Sequence, residues 1–560
     1  MPIRRGIEIP PGSESVACEQ GSAQEPGSPH RLRGYLPEGQ PATKCPGSRG
    51  QAPASVRAND GVDRGNHRAK ATKRGGKGDG ESERLSTTGE AGEPTRGTPR
   101  REEGRRDTEL LEGKTTEPLT SDTVSTRLQR IAELAREDPK RAFRSLAHHI
   151  DLEFLQEAFR RTRKDGATGV DGQTSGEYEE RLEENLRSLL DRFKSGQYKA
   201  PPVRRTYVPK GDGKQQRPIG IPTFEDKVLQ RAVTMVLGAV YEQEFLTCSY
   251  GYRPGRSAHQ ALTDLRQELM VMGGGWVLEV DIKSFFDTIS HSRLREILDQ
   301  RVRDGVLRRT IDKWLAAGVM EGSVLSHPDA GTPQGGVVSP LLANIYLHEV
   351  LDRWFERDVK PRLGGRAFMV RFADDLVMAF GNERDARRVW TVLPKRLGRY
   401  GLTLHPTKTR LVEFRPRSGG TKPPIDRDNR SFDLLGFTHF WAQSRRGFWV
   451  VKLKTAGDRF GRSVKRVQQW CRRYRHAPVA WQHEQLTRKL RGHDAYYGVR
   501  GNYAALVRFR YELGRVWQKW LNRRSNQSRM PWERFNRLLK RYPLLEPRIR
   551  CPLQPRAANP

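Results

Sequence analysis

Apolar positions change their period from one stretch of the chain to the next. From 1 to about 120 there is no period: the stretch is dense in Gly, Pro, Ser, Arg and Glu, and Tyr35 is its only aromatic residue. Such a segment buries too little apolar surface to offset the entropy of ordering it, and it reads as a disordered, basic, low-complexity tail over 1–120. An RNA-gripping arm is the functional alternative. A third reading is upstream sequence translated by an over-long gene model, which needs a non-Met start codon downstream, since no methionine lies between Met1 and Met235.

Helical spacing begins near Thr123. Leu128, Ile131, Leu134 and Ala135 fall on one face, Phe143, Leu146 and Ile150 open a second such pattern, and Leu155, Ala158 and Phe159 a third. The spacing predicts a helical extension over 121–200. From Tyr207 to about Phe440 short strand-like runs mix with helical ones, so 201–440 reads as a mixed α/β region. From 441 to 548 the pattern is helical and very basic, with a short tail over 549–560. There Leu506, Phe509, Leu513, Val516 and Trp520 recur at alternating threes and fours, a buried helical stripe. The other face carries Arg508, Arg510, Arg515, Lys519, Arg523 and Arg524, expected to point outward at phosphates. No internal repeat is visible.

Charge narrows the function. Lys+Arg number 101 against 67 Asp+Glu, a formal net charge of +34 over 560 residues. That field favours a polyanionic partner, nucleic acid before anionic membrane. The 5 cysteines lie far apart with no C-x-x-C pair, which excludes a disulfide framework and zinc modules built on paired cysteines. No run approaches the ~18 apolar residues of a membrane span. The expectation is a cytoplasmic protein without membrane contact, associated with nucleoid or ribonucleoprotein.

The chemistry lies in carboxylates. Trp276–Ile282 reads as a short strand ending in Asp281, introduced by Gly273-Gly274-Gly275. In Phe368–Phe380 two apolar runs flank Asp374-Asp375, the pattern of a tight hairpin with acids at its turn. Acids inside a hydrophobic strand pair are costly to bury unless a cation compensates them. Asp281 and Asp374 brought together would hold Mg²⁺, which prefers hard oxygen ligands and keeps positions open for phosphate oxygens. Solvated turn aspartates are the bland alternative for either site alone.

At these residues the chain resembles a family. Phe372-Ala-Asp-Asp375 is similar to the Tyr/Phe-x-Asp-Asp box of reverse transcriptases, and Asp281 fits their first catalytic aspartate. The longer set resembles bacterial group II intron-encoded reverse transcriptase/maturases: Gly169-Val-Asp-Gly172, Arg217-Pro-Ile-Gly-Ile-Pro222, Tyr250-Gly-Tyr-Arg-Pro-Gly-Arg-Ser257, Pro333-Gln-Gly-Gly336, Ser339–Leu347 and Asp433-Leu-Leu-Gly-Phe437. The resemblance implies a right-hand polymerase with fingers and palm over 201–440, followed by an all-α thumb and maturase region over 441–548. It implies RNA-directed DNA synthesis during retrohoming and binding of the intron RNA to assist splicing. The partners would be group II intron RNA, a DNA target or primer, and dNTPs. The cofactor would be two Mg²⁺ ions, with Mn²⁺ as a substitute.

Residue by residue, the resemblance makes Asp281, Asp374, Asp375 and Lys408 catalytic, Lys408 as the acid that protonates pyrophosphate. Asp281, Ile282, Asp374 and Asp375 would hold metal. Lys210 and Arg217 would grip the triphosphate, Phe286 would exclude a ribose 2′-hydroxyl, and Gln334 would contact the nucleotide on a turn before a helix capped by Ser339 and started by Pro340. Leu435, Gly436 and Phe437 match the primer grip. Arg508, Arg515, Lys519 and Arg523 would bind RNA. Arg491–Gly498 resembles the maturase signature, with His493 and Asp494 in a structural loop.

Two departures from the family pattern stand out. The box opens with Phe372 where Tyr is frequent, and Cys551 has no cysteine partner, so no C-terminal HNH nuclease is expected. Rival functions are a domesticated reverse transcriptase in repair or phage defence, and a non-enzymatic RNA-binding splicing factor. The intact aspartates speak against the second. Oligomeric state is not legible.

Overall fold

The computed structural model describes residues 123–209, 216–327, 330–416, 430–525, 527 and 529–551. The tail over 1–120 and Lys210 lie outside the described residues, as does most of 549–560. The chain opens with α1 (Val124–Glu137), α2 (Leu152–Arg161), α3 (Ser175–Glu179) and α4 (Leu182–Ser195). Thr123, Asp151 and Thr174 cap the first three by accepting from amides of the first turn. Leu134 is 39% exposed, so the apolar face of α1 narrows to Val124, Ile131 and Ala135, with Leu128 partly buried against the same core. Phe143, Leu146 and Ile150 are buried but build no α-helix. The Asp304 carboxylate takes the Leu146 and Ala147 amides at 2.6 and 2.8 Å and holds the segment as a loop around a short 3-10 turn.

The mixed region follows: β1 (Val203–Pro209), β2 (Gln216–Ile221), α5 (Phe224–Tyr241), α6 (Ala258–Met272), β3 (Gly275–Val280), α7 (Phe285–Thr288), α8 (His291–Asp299), α9 (Gly305–Ala316), β4 (Val319–Glu321), β5 (Val324–Ser326) and α10 (Ser339–Leu347). α10 runs on as a wider, π-type helix over His348–Val359. Then come β6 (Ala367–Phe372), β7 (Asp375–Phe380), α11 (Glu383–Gly398), β8 (Arg410–Phe414), β9 (Phe432–Leu434), β10 (Phe437–Gln443) and β11 (Trp449–Thr455). The end is helical: α12 (Gly457–Arg473), α13 (Val479–Tyr497), α14 (Tyr503–Leu521) and α15 (Trp532–Arg541).

The central antiparallel sheet has the order β6-β7-β3-β8. Its strands are apolar on both faces because both are covered. Leu278, Met378 and Phe380 join the large core of α5, α10 and α11, while Val277, Val377 and Ala379 pack with Ala261 and Leu265 of α6. A second sheet has the order β2-β1-β4-β5, and a third, β11-β10-β9, leads out of the mixed region. Strands therefore continue to Thr455, and the helical region begins at Gly457 rather than at 441. The reason is local: β10 and β11 pair in register from Phe437↔Thr455 to Gln443↔Trp449. The stripe Leu506, Phe509, Leu513, Val516 and Trp520 is buried on α14 as its spacing predicts. Among the described residues no helix is long and apolar enough to cross a membrane.

Candidate active site

The hairpin read from Phe368–Phe380 is β6 and β7. Their last pair is Phe372↔Asp375, which leaves Ala373 and Asp374 as a two-residue turn. Ala373 takes φ +58, a left-handed conformation that costs a residue bearing a Cβ and persists only where surroundings enforce it. β3 pairs with β7 through Val280↔Leu376, so Asp281 leaves the sheet beside Asp375. Three carboxylates thus meet at one edge of the central sheet.

They destabilise one another. The Asp375 carboxylate reaches solvent in a cleft, yet protein walls enclose it. That burial, with Asp374 and Asp281 close by, pushes its pKa up to about 6 against the partial relief of Arg459 and Lys408. Burial likewise raises Asp374, with Asp281 adding to the effect and Arg217 opposing it. Lys408 Nζ lies 3.2 Å from Asp281 Oδ2, so this edge already attracts a cation. The neighbouring Glu279, by contrast, is taken up by Arg410 and by the Asp433 amide. Among the described residues no three acidic, His or Cys side chains form a ready-made metal cage. Hard oxygen donors without full compensation still suit a divalent ion that keeps waters or substrate phosphates in its other positions. Ile282 is 5% exposed and its side chain belongs to the core, so only its main-chain oxygen is able to ligate.

A cavity of about 350 Å³ opens over this edge, lined by Asp281, Asp375, Lys408, Leu435, Gly436 and Arg459, among others. Leu435 and Gly436, at φ +51 and +80, make the turn between β9 and β10. The Tyr496 hydroxyl donates to the Leu435 carbonyl at 2.8 Å. Phe437 is fully buried against Tyr496 and Tyr497, so it packs the Leu435–Gly436 turn from behind.

Phe286 and Gln334 share a second cavity, about 250 Å³, with Arg205 and Trp314. Gln334 Oε1 is buried there without a hydrogen-bond partner. Its turn is tied down by Gln230 Oε1, which accepts from the Val337 and Val338 amides at 2.7 and 3.3 Å. Ser339 is not the cap of α10. Its Oγ accepts from Thr332 Oγ1 at 2.9 Å, and no side chain caps that helix. Arg217 sits on β2 opposite Val208 and makes itself felt at Asp374 and at Tyr252, an exposed aromatic.

The expected RNA-binding residues divide. Lys519 and Arg523 line a groove of about 820 Å³ with Lys465, Arg472 and Arg475 of the α12 side, and none of its lining residues is acidic. Arg508 lies 5.0 Å over the Phe460 ring, Arg515 pairs with Glu512, and Arg510 pairs with Glu546. Arg524 does not project outward: it donates to the Arg475 and Ala477 carbonyls and holds the end of the α12–α13 connection. His493 and Asp494 lie in α13, not in a loop. His493 stacks on Phe509 at 3.8 Å, and the Asp494 carboxylate accepts from the Arg548 amide.

Sequence reasoning missed Arg459, Lys465, Arg472 and Arg475. They sit on or beside α12, whose alternation of cations with Val464 and Val467 was readable but carries no sign of which groove it faces. It also missed Arg371, a lone charge inside an apolar strand, which was a signal that a buried partner must exist.

Comparison with known proteins agrees with this geometry. Residues 208–439 match the family model described as reverse transcriptase (RNA-dependent DNA polymerase). The chain is 42% identical over 188 residues to the group II intron-encoded protein LtrA of Lactococcus lactis subsp. cremoris, covering 32% of this chain and 31% of that protein. It is 35% identical over 289 residues to protein YkfC of Escherichia coli, covering 46% of this chain and 75% of YkfC. A mitochondrial nuclear intron maturase 2 of Arabidopsis thaliana is 29% identical over 177 residues, 24% of each chain. The match thus spans about a third of the length of LtrA. On these alignments and on the aspartates at the sheet edge, the chain belongs to the group II intron-encoded reverse transcriptases.

Proposed function

We propose that the protein is an RNA-directed DNA polymerase of a group II intron, which copies intron RNA into DNA and binds that RNA as a maturase. The observation that carries this reading is the meeting of Asp281, Asp374 and Asp375 at one sheet edge, where Asp281 and Asp375 line a cleft shared with the Leu435–Gly436 turn. The reverse transcriptase family works with divalent metal ions. Mg²⁺ is the ion proposed here, held by the three carboxylates and the Ile282 main-chain oxygen. When bound, it supplies charge stabilisation to the attacking 3′-oxygen and to the leaving pyrophosphate.

The chain's own residues do the rest. Leu435 and Gly436 present main-chain atoms to the primer terminus, and Arg217 offers a cation to the triphosphate beside Asp374. Phe286 closes the sugar side of the nucleotide, with Gln334 near it. Lys408 pairs with Asp281 at this edge, and its ammonium would be the group placed to give a proton to pyrophosphate. The groove of Lys465, Arg472, Arg475, Lys519 and Arg523 supplies the intron-binding surface, because an acid-free set of cations suits a phosphate backbone.

The test is extension of a DNA primer annealed to RNA, with dNTPs and Mg²⁺, beside filter binding of intron RNA. Wild-type protein should extend the primer, and Asp374→Ala should lose extension while binding RNA within about twofold. Extension by Asp374→Ala within a few-fold of wild type would remove the assignment.

A further inference from the structure

Arg371 is fully buried in β6, three residues before Asp374, and every N–H of its guanidinium has a partner. Nε donates to Asp352 Oδ1 at 2.8 Å, and Nη2 donates to Asp352 Oδ2 at 2.5 Å and to Ser249 Oγ at 2.7 Å. Nη1 donates to Asn344 Oδ1 at 2.9 Å and to the Ala373 carbonyl at 3.1 Å. The last acceptor belongs to the catalytic turn itself. Asn344 extends the contact: its Nδ2 donates to the Gly251 carbonyl at 2.7 Å. Gly251 in turn lies so close to the turn that a Cβ there would stand 2.3 Å from the Ala373 nitrogen. The segment holding Gly251 runs beside β6, with Arg371 N bonded to the Cys248 carbonyl and Tyr250 N to the Arg371 carbonyl.

The strained residue is therefore held from both sides: its carbonyl by Arg371, its amide side by Gly251. Asp352, on the wide helix that continues α10, fixes the guanidinium in a bidentate fork that a lysine has no geometry to copy. We propose that the Arg371–Asp352 pair, with Asn344, is the positioning device of the metal site: it enforces the left-handed Ala373 and so sets Asp374 and Asp375 toward Asp281. This rests on the reading of those aspartates as metal ligands. None of the three positioning residues touches metal or substrate.

The experiment measures Mn²⁺ affinity by paramagnetic resonance of free Mn²⁺, the Mg²⁺ midpoint of primer extension, and melting temperature. Asp352→Asn keeps the shape and removes the charge; it should weaken Mn²⁺ binding about tenfold and raise the Mg²⁺ midpoint similarly. Ser249→Ala removes a contact on the same guanidinium away from the turn, and should lower the melting temperature while leaving both metal readouts within twofold. Asn344→Leu keeps the ion pair and the Arg371–Ala373 carbonyl bond but cuts the link to Gly251; it should shift Mn²⁺ affinity in the direction of Asp352→Asn, which keeps the test valid if that variant fails to fold. Unchanged Mn²⁺ affinity in folded Asp352→Asn or Asn344→Leu would reduce the network to core packing. A wild-type protein that binds Mn²⁺ tightly but extends nothing would overturn the polymerase reading and leave the positioning device standing.

Discussion

The central sheet and the α12–α14 helices treat charge in opposite ways. In the sheet each buried charge is cancelled on the spot: Arg371 by Asp352, Glu279 by Arg410. What remains is an excess of carboxylates at one edge, positioned by strands. In the helices the excess is cationic, and Lys465, Arg472, Arg475, Lys519 and Arg523 share one groove without an acid among them. Fixed geometry needs local cancellation, because an unpaired buried charge would pull the turn out of place. A long polyanion needs the reverse, a surplus whose self-repulsion is relieved when the ligand arrives. The proposed function gives small ions to the first region and a nucleic-acid backbone to the second.

Exchanging the losses is the strongest way to break that contrast. Asp281→Asn should reduce primer extension at least about a thousandfold and leave RNA affinity within about twofold, since it removes several kcal/mol of charge stabilisation from the reaction alone. Joint replacement of Lys465, Arg472 and Arg523 by Gln should do the opposite. RNA affinity at low salt should fall on the order of tenfold or more, and the slope of log K against log salt should flatten by roughly 0.7–0.9 per lost phosphate contact. Extension on a short generic template should stay within a few-fold. Equal losses of both activities in a stably folded triple variant would make the groove part of the polymerase rather than a separate RNA surface. Phe286→Ala comes next: it should admit rNTPs, with discrimination falling on the order of tenfold or more, read from single-nucleotide incorporation. Unchanged dNTP preference would return Phe286 to packing.

How much of this was legible in the sequence follows the same divide. Asp281, Asp374 and Asp375 were readable because strand runs ending in acids break the apolar pattern, and a two-residue turn leaves them nowhere else to go. The stripe on α14 was readable because burial imposes its period. Arg371 stood in plain sight, but its partners Ser249, Asn344 and Asp352 come from three distant segments, and a single sequence carries no record of which segments meet. For the same reason the inward turn of Arg524 was not legible. Periodicity separates inside from outside, yet it does not show that Arg510 and Arg515 have carboxylate partners or that Arg524 binds carbonyls. The helical spacing of Phe143, Leu146 and Ile150 misled because Asp304, remote in sequence, claims the amides a helix would need.

The third sheet and the helical region each bury a histidine side chain with neither ring nitrogen hydrogen-bonded: His439 stacks on Phe432 at 4.6 Å, His493 on Phe509 at 3.8 Å. Burial lowers them from 6.5 to about 3 and about 4. Below pH 6.5 the unfolded chain takes up protons that these folded sites refuse, so stability present above 6.5 declines as pH falls toward those values. At pH 5 the effect is roughly 2 kcal/mol for each histidine. Melting curves between pH 7 and 5 should show the fall, and His493→Phe, which keeps a ring on Phe509, should make it shallower. An unchanged pH dependence in that variant would place the acid sensitivity elsewhere.

The smallest effect concerns the Tyr496 hydroxyl, a contact between α13 and the turn lining the catalytic cleft. Tyr496 donates to the Leu435 carbonyl at 2.8 Å, while its own carbonyl faces His259 Nε2 of α6 at 2.7 Å. The left-handed Leu435 turn is thus held by a residue of the helical region, across the boundary between the two charge regimes. Tyr496→Phe removes one hydrogen bond and leaves the ring stacked near Phe437, a change of about 1 kcal/mol. If the bond steadies the primer terminus, KM for primer–template should rise about fivefold, kcat should stay within twofold, and intron binding should not move. A fall in intron affinity of the same size would mean that the hydroxyl serves the maturase region, and that the primer grip stands without it.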